Sequence, residues 1–335
     1  MRTVQDVLEA LDRITGGRVV KGPSDISSGK NPFVVSKSSH IPGKAIVETP
    51  GLVFGDPSWP VRKAGMLMTL TESGIELASA LGIELVVAHH PIADAANSGG
   101  VPLRNYLGLY RIAAIELHEA FHGLHPGIPY LHGHRAFRVD VAYGGVPGNI
   151  LFVGKPLEDV NRLGDMVERL ARFMNYEEEE RLLDAERDIR RVRELWETSV
   201  AVRAKVLAGD PNSQVGTVLH IFPHTGFTVE HLERAKAEHP EATTVLATIS
   251  RVPVDHALVA KARELGMHFV VGNSHAVELF ENWLPLSYAL RDLLPEVEYF
   301  VLRERVSATR LEDTGNESIR QYASQMADRY LLKKA

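Results

Sequence analysis

The stretch "IELVVAHHPI" (residues 83–92) decides how the chain reads. A near-continuous apolar run of this length, preceded by Gly82, predicts a strand buried on both faces, the kind found inside parallel sheets. It ends in His89, His90 and Pro91. Neighbouring side chains on a strand point to opposite faces, so two adjacent imidazoles there need a reason. Beyond the strand end the pleat no longer dictates direction, and loops at the carboxyl ends of strands are where open sheets bind ligands. Pro91 fixes φ and stiffens the turn. Two imidazoles freed from the pleat could serve two neighbouring metal ions. The other reading places one histidine in the core and one in solvent.

Strand and helix signals alternate on both sides of this stretch. A helix over 3–15, strands over 45–57 and 63–70, and a helix over 71–82 with Thr71 as cap and Gly82 as stop precede it. A loop over 16–45 separates the first two. A helix from about 105 to 122 follows, then a glycine turn and short strand within 140–154. After residue 215 strands over 216–222, 242–249, 267–272 and 298–306 alternate with helices over 228–239, 254–266 and 276–294, with Trp283 as core packing. This predicts an α/β (α+β) fold. Residues 157–208, dense in Glu, Arg and Leu, read as long helices with a solvated charged face.

"ALGIELVVAHHP" (80–91) is echoed by "ELGMHFVVGNSHA" (264–276). Both run helix, Leu-Gly, apolar strand and polar exit, which predicts two related halves presenting ligands at strand ends. We divide the chain into a first α/β lobe (1–155), a charged helical insert (156–214) and a second α/β lobe (215–335). In the second exit His275 and Glu278 stand three residues apart at a helix start, where i and i+3 share a face. Asp140, before a glycine turn, could supply a bridging carboxylate or simply initiate the turn.

Composition narrows the chemistry. The 335 residues are 44% apolar and 24% charged, with net charge −6, 15 histidines and no cysteine. The acidic balance gives no broad basic surface for nucleic acid. No apolar run approaches the roughly 20 residues that cross a bilayer. The first 17 residues read as an amphipathic helix rather than a signal peptide. Without thiols, a metal site must use His, Asp and Glu, which suits Zn, Mn, Fe, Ni or Co, and a cytoplasmic location is expected. There is no Walker loop and no G-x-G-x-x-G fingerprint.

"LHEAFHGLH" (117–125) carries a rival pattern. His118, Glu119 and His122 have the H-E-x-x-H spacing of zinc peptidases, with His125 as a possible third ligand. The continuation found in metzincins is absent. The competing reading is imidazoles at the C-terminal end of a helix, where cations are favoured.

The blocks 50–92, "DVAYGG" (140–145) and "LGMHFVVGNSHAVE" (265–278) resemble the NIF-three-like family (NGG-interacting factor three). The resemblance spans roughly residues 45–155 and 215–305. It implies two α/β lobes with a dinuclear metal centre in the cleft and a toroidal homo-oligomer, a hexamer. It implies a ligand set of His89, His90, Asp140, His275 and Glu278 for two divalent ions. It also makes a metal-dependent hydrolase acting on a small molecule the expected activity. Some relatives are assigned as GTP cyclohydrolases, which points to a nucleotide-like substrate. The chain departs from the family pattern in three places. His275 and Glu278 are spaced by three where the family has four, "ATISRVPVDH" lacks a Thr-Gly-Glu, and His134 lies six residues before Asp140 where the family has His-x-x-x-Asp. His134 remains a candidate general acid or partner to a ligand. The alternatives to a hydrolase are a non-catalytic, metal-stabilised scaffold or regulatory partner, and the zinc peptidase.

Overall fold

The computed structural model describes residues 1–38, 45–92, 100–118, 120–122, 124–125, 127–146, 148–249, 252–274, 277–303 and 305–332. The deciding stretch forms the strand Leu85–Ala88, with all four residues buried. It lies between two parallel neighbours, Lys63–Leu67 and Ala113–Glu116. Glu298–Val301, parallel to Lys63–Leu67, and Gly51–Phe54, antiparallel to Ala113–Glu116, complete a five-stranded sheet.

Period-two geometry sorts the strand's side chains between two cores. Leu85 and Val87 pack with Val7 and Leu11 of the helix Val4–Thr15 and with Leu286 and Leu290 of the helix Leu284–Leu293. Val86 and Ala88 pack with Ile75 and Ala78 of the helix Glu72–Ala80 and with Leu103 and Leu107 of the helix Gly100–Tyr110. Both faces are covered, which is why no polar residue alternates along the run. The expected cap is present, since Thr71 Oγ1 accepts the Gly74 N–H at 3.0 Å.

A six-stranded sheet runs in the order Lys205–Ala208, His268–Ser274, Ala242–Ile249, Thr217–Ile221, Leu151–Pro156, His134–Asp140. The strands Thr217–Ile221, Ala242–Ile249 and His268–Ser274 are mutually parallel, and each of the other three pairs antiparallel with the neighbour that joins it to them. The echo between the two halves is reproduced locally. In each sheet a helix ends in a glycine at positive φ, Gly82 (68°) or Gly266 (66°), followed by an interior parallel strand.

Sheet membership differs from the sequence division at 155 and 215. His134–Asp140 and Leu151–Pro156 join the second sheet, because Leu151 and Val153 pack with Leu219, Ile221 and Val245. Glu298–Val301 returns to the first. The charged segment holds the helices Leu163–Phe173 and Tyr176–Arg190, the second burying only Tyr176 and Leu183, but it also supplies the strand Lys205–Ala208. Within the expected loop, Val35–Ser38 pairs with Ala45–Glu48.

The largest correction concerns residues 105–122. The helix stops at Tyr110, Arg111 takes a left-handed φ of 55°, and Ala113–Glu116 is a fully buried strand. "AAIE" has little intrinsic strand preference, and its place between Leu85–Ala88 and Gly51–Phe54 overrides propensity. The histidines of "LHEAFHGLH" therefore follow a strand rather than cap a helix. Trp283 is buried as expected, and its indole N–H donates to the Val87 carbonyl at 2.9 Å. No helix among the described residues is long and apolar enough to cross a membrane.

Candidate metal centre

The two histidines after Leu85–Ala88 stay in register with the neighbouring strand. The His89 N–H donates to Leu67 O at 3.0 Å and the His90 N–H to Met68 O at 2.8 Å. The rings nonetheless flank one space, with centroids 5.4 Å apart and a tilt of 38°. The adjacent strand Ala113–Glu116 exits beside them. His118 brings its ring within 4.9 Å of His89, and His122 within 5.3 Å. From the second sheet comes Glu278, after the strand His268–Ser274. Its Oε2 lies 3.1 Å from His89 Nε2.

These side chains form two overlapping groups, each with ligand atoms within 4.8 Å of one another. One is His89, His118 and His122; the other is His89, His90 and Glu278. Either could hold a metal ion. Histidine binds metal as neutral imidazole, and His89 meets that condition. Burial pushes its pKa down to about 4, and His118 and His122 add to that, against the opposing pull of Glu278. With the His89 proton on Nε2 facing Glu278, the Nδ1 lone pair is buried without a hydrogen-bond partner. A buried polar atom left so is costly unless something else meets it. A cation fits that requirement, and a donor set of imidazoles and carboxylate fits a borderline divalent ion.

A surrounding layer orients the rings. Glu48 Oε2, itself buried, lies 3.3 Å from His118 Nδ1. Thr69 Oγ1 lies 2.5 Å from His90 Nδ1. Glu116 accepts the Thr49 N–H on one oxygen and the Ile92 N–H, at 2.8 Å, on the other. It thereby ties the turn after His90–Pro91 to the segment after Glu48. Burial raises its pKa to about 7, helped by the nearby Glu48 carboxylate and opposed by the two N–H donors.

Sequence reasoning located three members of this cluster, His89, His90 and Glu278. His275 and Glu119 lie outside the described residues. Asp140 is not in either group. It sits on the edge strand, where its Oδ1 accepts the Ala142 N–H at 3.0 Å and its Oδ2 lies 3.5 Å from Arg138 Nη2. This is the turn-initiating role. His134 is likewise in neither group. It is sealed in the second sheet, its Nε2 2.9 Å from His220 Nδ1, and burial lowers its pKa to about 3. Burial disfavours the protonated form that a general acid would need. Room for it comes from Gly154, where any Cβ would collide with His134 Nδ1. His118 and His122, weighed as a peptidase pair, instead join His89. Glu48 and Glu116 were missed. The available signal was an acidic residue at the end of an apolar run, in "AIVE" and "AAIE".

No family model matches the chain, and no curated protein matches its sequence. Solved structures do match. Reduced HcgD from Methanocaldococcus jannaschii aligns with a TM-score of 0.55 at 16% identity, over 90% of this chain and 98% of that one. A hypothetical protein of Staphylococcus aureus aligns with a TM-score of 0.54 at 10% identity, over 90% and 96%. A Bacillus cereus protein related to NIF3 gives 0.51 at 12%, over 91% and 97%. The shared architecture extends over nearly the whole chain, and the fold is that of the NIF3-related proteins.

Proposed function

We propose that the protein is a metal-dependent hydrolase of a small molecule, with two divalent ions held by His89, His90, His118, His122 and Glu278. The observation that carries the reading is the convergence of four imidazoles and a carboxylate, from three strand exits, on one largely buried space. Five donors spread over two ions leave coordination positions open, as catalytic sites require. His275, beside Glu278 in sequence, would be a further donor. The His118-x-x-x-His122 spacing equals that of the His-x-x-x-Asp element implied by the family resemblance, so His122 stands in for its aspartate.

Divalent ions in such a site would supply Lewis acidity and a water that ionises near neutral pH. The chain's own contribution is to fix the donors. Glu48 holds the His118 ring and Thr69 the His90 ring, an arrangement that sets tautomer and direction. Trp283, 4.6 Å from His89 centroid to centroid, excludes water from one side.

The test is metal analysis of purified protein alongside hydrolysis of a generic ester such as bis(p-nitrophenyl) phosphate. We expect close to two ions per chain and a turnover that disappears in His89→Ala. Metal-free protein with full activity, or an unchanged His89→Ala variant, sinks the proposal. Metal without turnover would favour the scaffold reading. That reading draws on Phe137 and Val139, which expose apolar side chains along the edge strand His134–Asp140. A homo-oligomer formed there, the hexamer the resemblance implies, would show in light scattering.

A further inference from the structure

A cavity of about 280 Å³ opens directly beside His90. This is near the lower end of the range for small-molecule sites, about 300–1,000 Å³. Its walls come from separate parts of the chain. Met68, Thr69 and His90 belong to the first sheet's strand exits, and Leu279 and Phe280 follow Glu278. The charged segment, whose helices otherwise show a solvated surface, contributes Met174 and Glu197–Ser199. That segment therefore walls part of a space that also borders His90.

We propose that this cavity is the substrate pocket and that it takes a small organic anion, a carboxylate or phosphate ester with an apolar body, whose charged end is held by Arg303. The proposal rests on the reading of the neighbouring site as a metal-dependent hydrolase, since His90 belongs to both. Met68, Met174, Leu279 and Phe280 form apolar walls for the body of the ligand. Arg303 lines the same cavity, with its guanidinium carbon 5.4 Å from the Phe280 ring centroid. Its contact with Glu179 is 3.6 Å, between partly exposed groups, which is too long for a hydrogen bond. A partly exposed pair at that distance contributes little, so a ligand anion can compete for the guanidinium.

The neighbouring charges are already balanced. Arg305 is bound by Glu186 and, at 3.0 Å, by Glu197, and Glu186 has a second cation in Arg190 at 3.0 Å. Glu197 also accepts the Ser199 hydroxyl at 2.9 Å. The Glu197 carboxylate in the wall is thus neutralised by Arg305, which leaves Arg303 as a charge able to select an anion. A planar guanidinium suits both carboxylate and phosphate.

The full-length protein as purified, its metal content recorded, would be titrated calorimetrically with phenyl phosphate, benzoate and benzyl alcohol. The two anions are expected to bind at least tenfold more tightly than the alcohol. Arg303→Met, which keeps an apolar stem, should remove that preference while leaving alcohol binding unchanged, and Arg303→Lys should keep part of it. The tighter of the two anions identifies the head group. Anions that bind no better than the alcohol overturn the proposal, as does a preference that survives in Arg303→Met. Loss of all three ligands in both variants would overturn it too, because it would show a role in shape rather than charge. Metal content separates the two readings. Bound metal without anion preference fails the pocket alone, and anion preference without metal fails the metal centre alone.

Discussion

His89 Nε2 and Glu278 Oε2 are 3.1 Å apart across 189 residues of sequence, and both side chains are buried. Each stands past the end of an interior parallel strand, one in each sheet. Two sheets that meet at their strand exits place a neutral imidazole against a carboxylate where neither reaches bulk water. Such a contact is costly to desolvate, and the incomplete bonding of the His89 ring is consistent with a cation completing it.

Removing His122 should cost metal, and removing Asp140 should not. His122→Ala is expected to weaken binding at least tenfold by elemental analysis after dialysis against a weak chelator, while Asp140→Ala retains the wild-type content. Equal losses in both variants would return Asp140 to the ligand set.

Glu48 acts through His118. Glu48→Gln keeps an acceptor for the ring N–H but loses the charge. Metal affinity should fall roughly 10–100-fold, the usual effect of such a partner. Competition with a chromophoric chelator measures it, and an unchanged affinity would leave Glu48 without a role at the centre.

Gly154 makes room for His134. In Gly154→Ala the new methyl would collide with the His134 ring and lie 2.7 Å from the Arg135 carbonyl oxygen. Overpacking of this kind costs about 1–3 kcal/mol. A lower urea midpoint with unchanged metal content is the expected result.

Acid should destabilise the chelator-treated protein. Burial holds His132 at about 4 and His134 at about 3, and lowers His89 and His220 as well, all from 6.5. Such lowered groups stabilise the fold above their unfolded pKa and lose that contribution as pH falls through the folded values. Glu116 and Glu281 are raised and act oppositely, contributing below 4.5 and losing it as pH rises. Four imidazoles outweigh two carboxyls, so the urea midpoint should be lower at pH 4.5 than at pH 6.5. A midpoint that rises on acidification would contradict the burial of these rings.

Much of the fold was legible because hydrophobic period and turn chemistry are local signals. The strand after Gly82, the Thr71 cap and the burial of Trp283 all followed from neighbours within a few residues. The strand Ala113–Glu116 was not legible, since two alanines and a glutamate around a single isoleucine adopt it here between two flanking strands. The pocket wall from the charged segment was equally invisible, because a Glu- and Arg-rich helix looks the same over solvent as over a cleft.

By itself the sequence determined that imidazoles would leave a buried strand together and that any metal would meet nitrogen and oxygen rather than sulfur. Which residues meet was a tertiary decision. His118 and His122 joined the cluster and Asp140 and His134 were drawn away from it, because strand order in two sheets, not spacing along the chain, sets the distances between side chains.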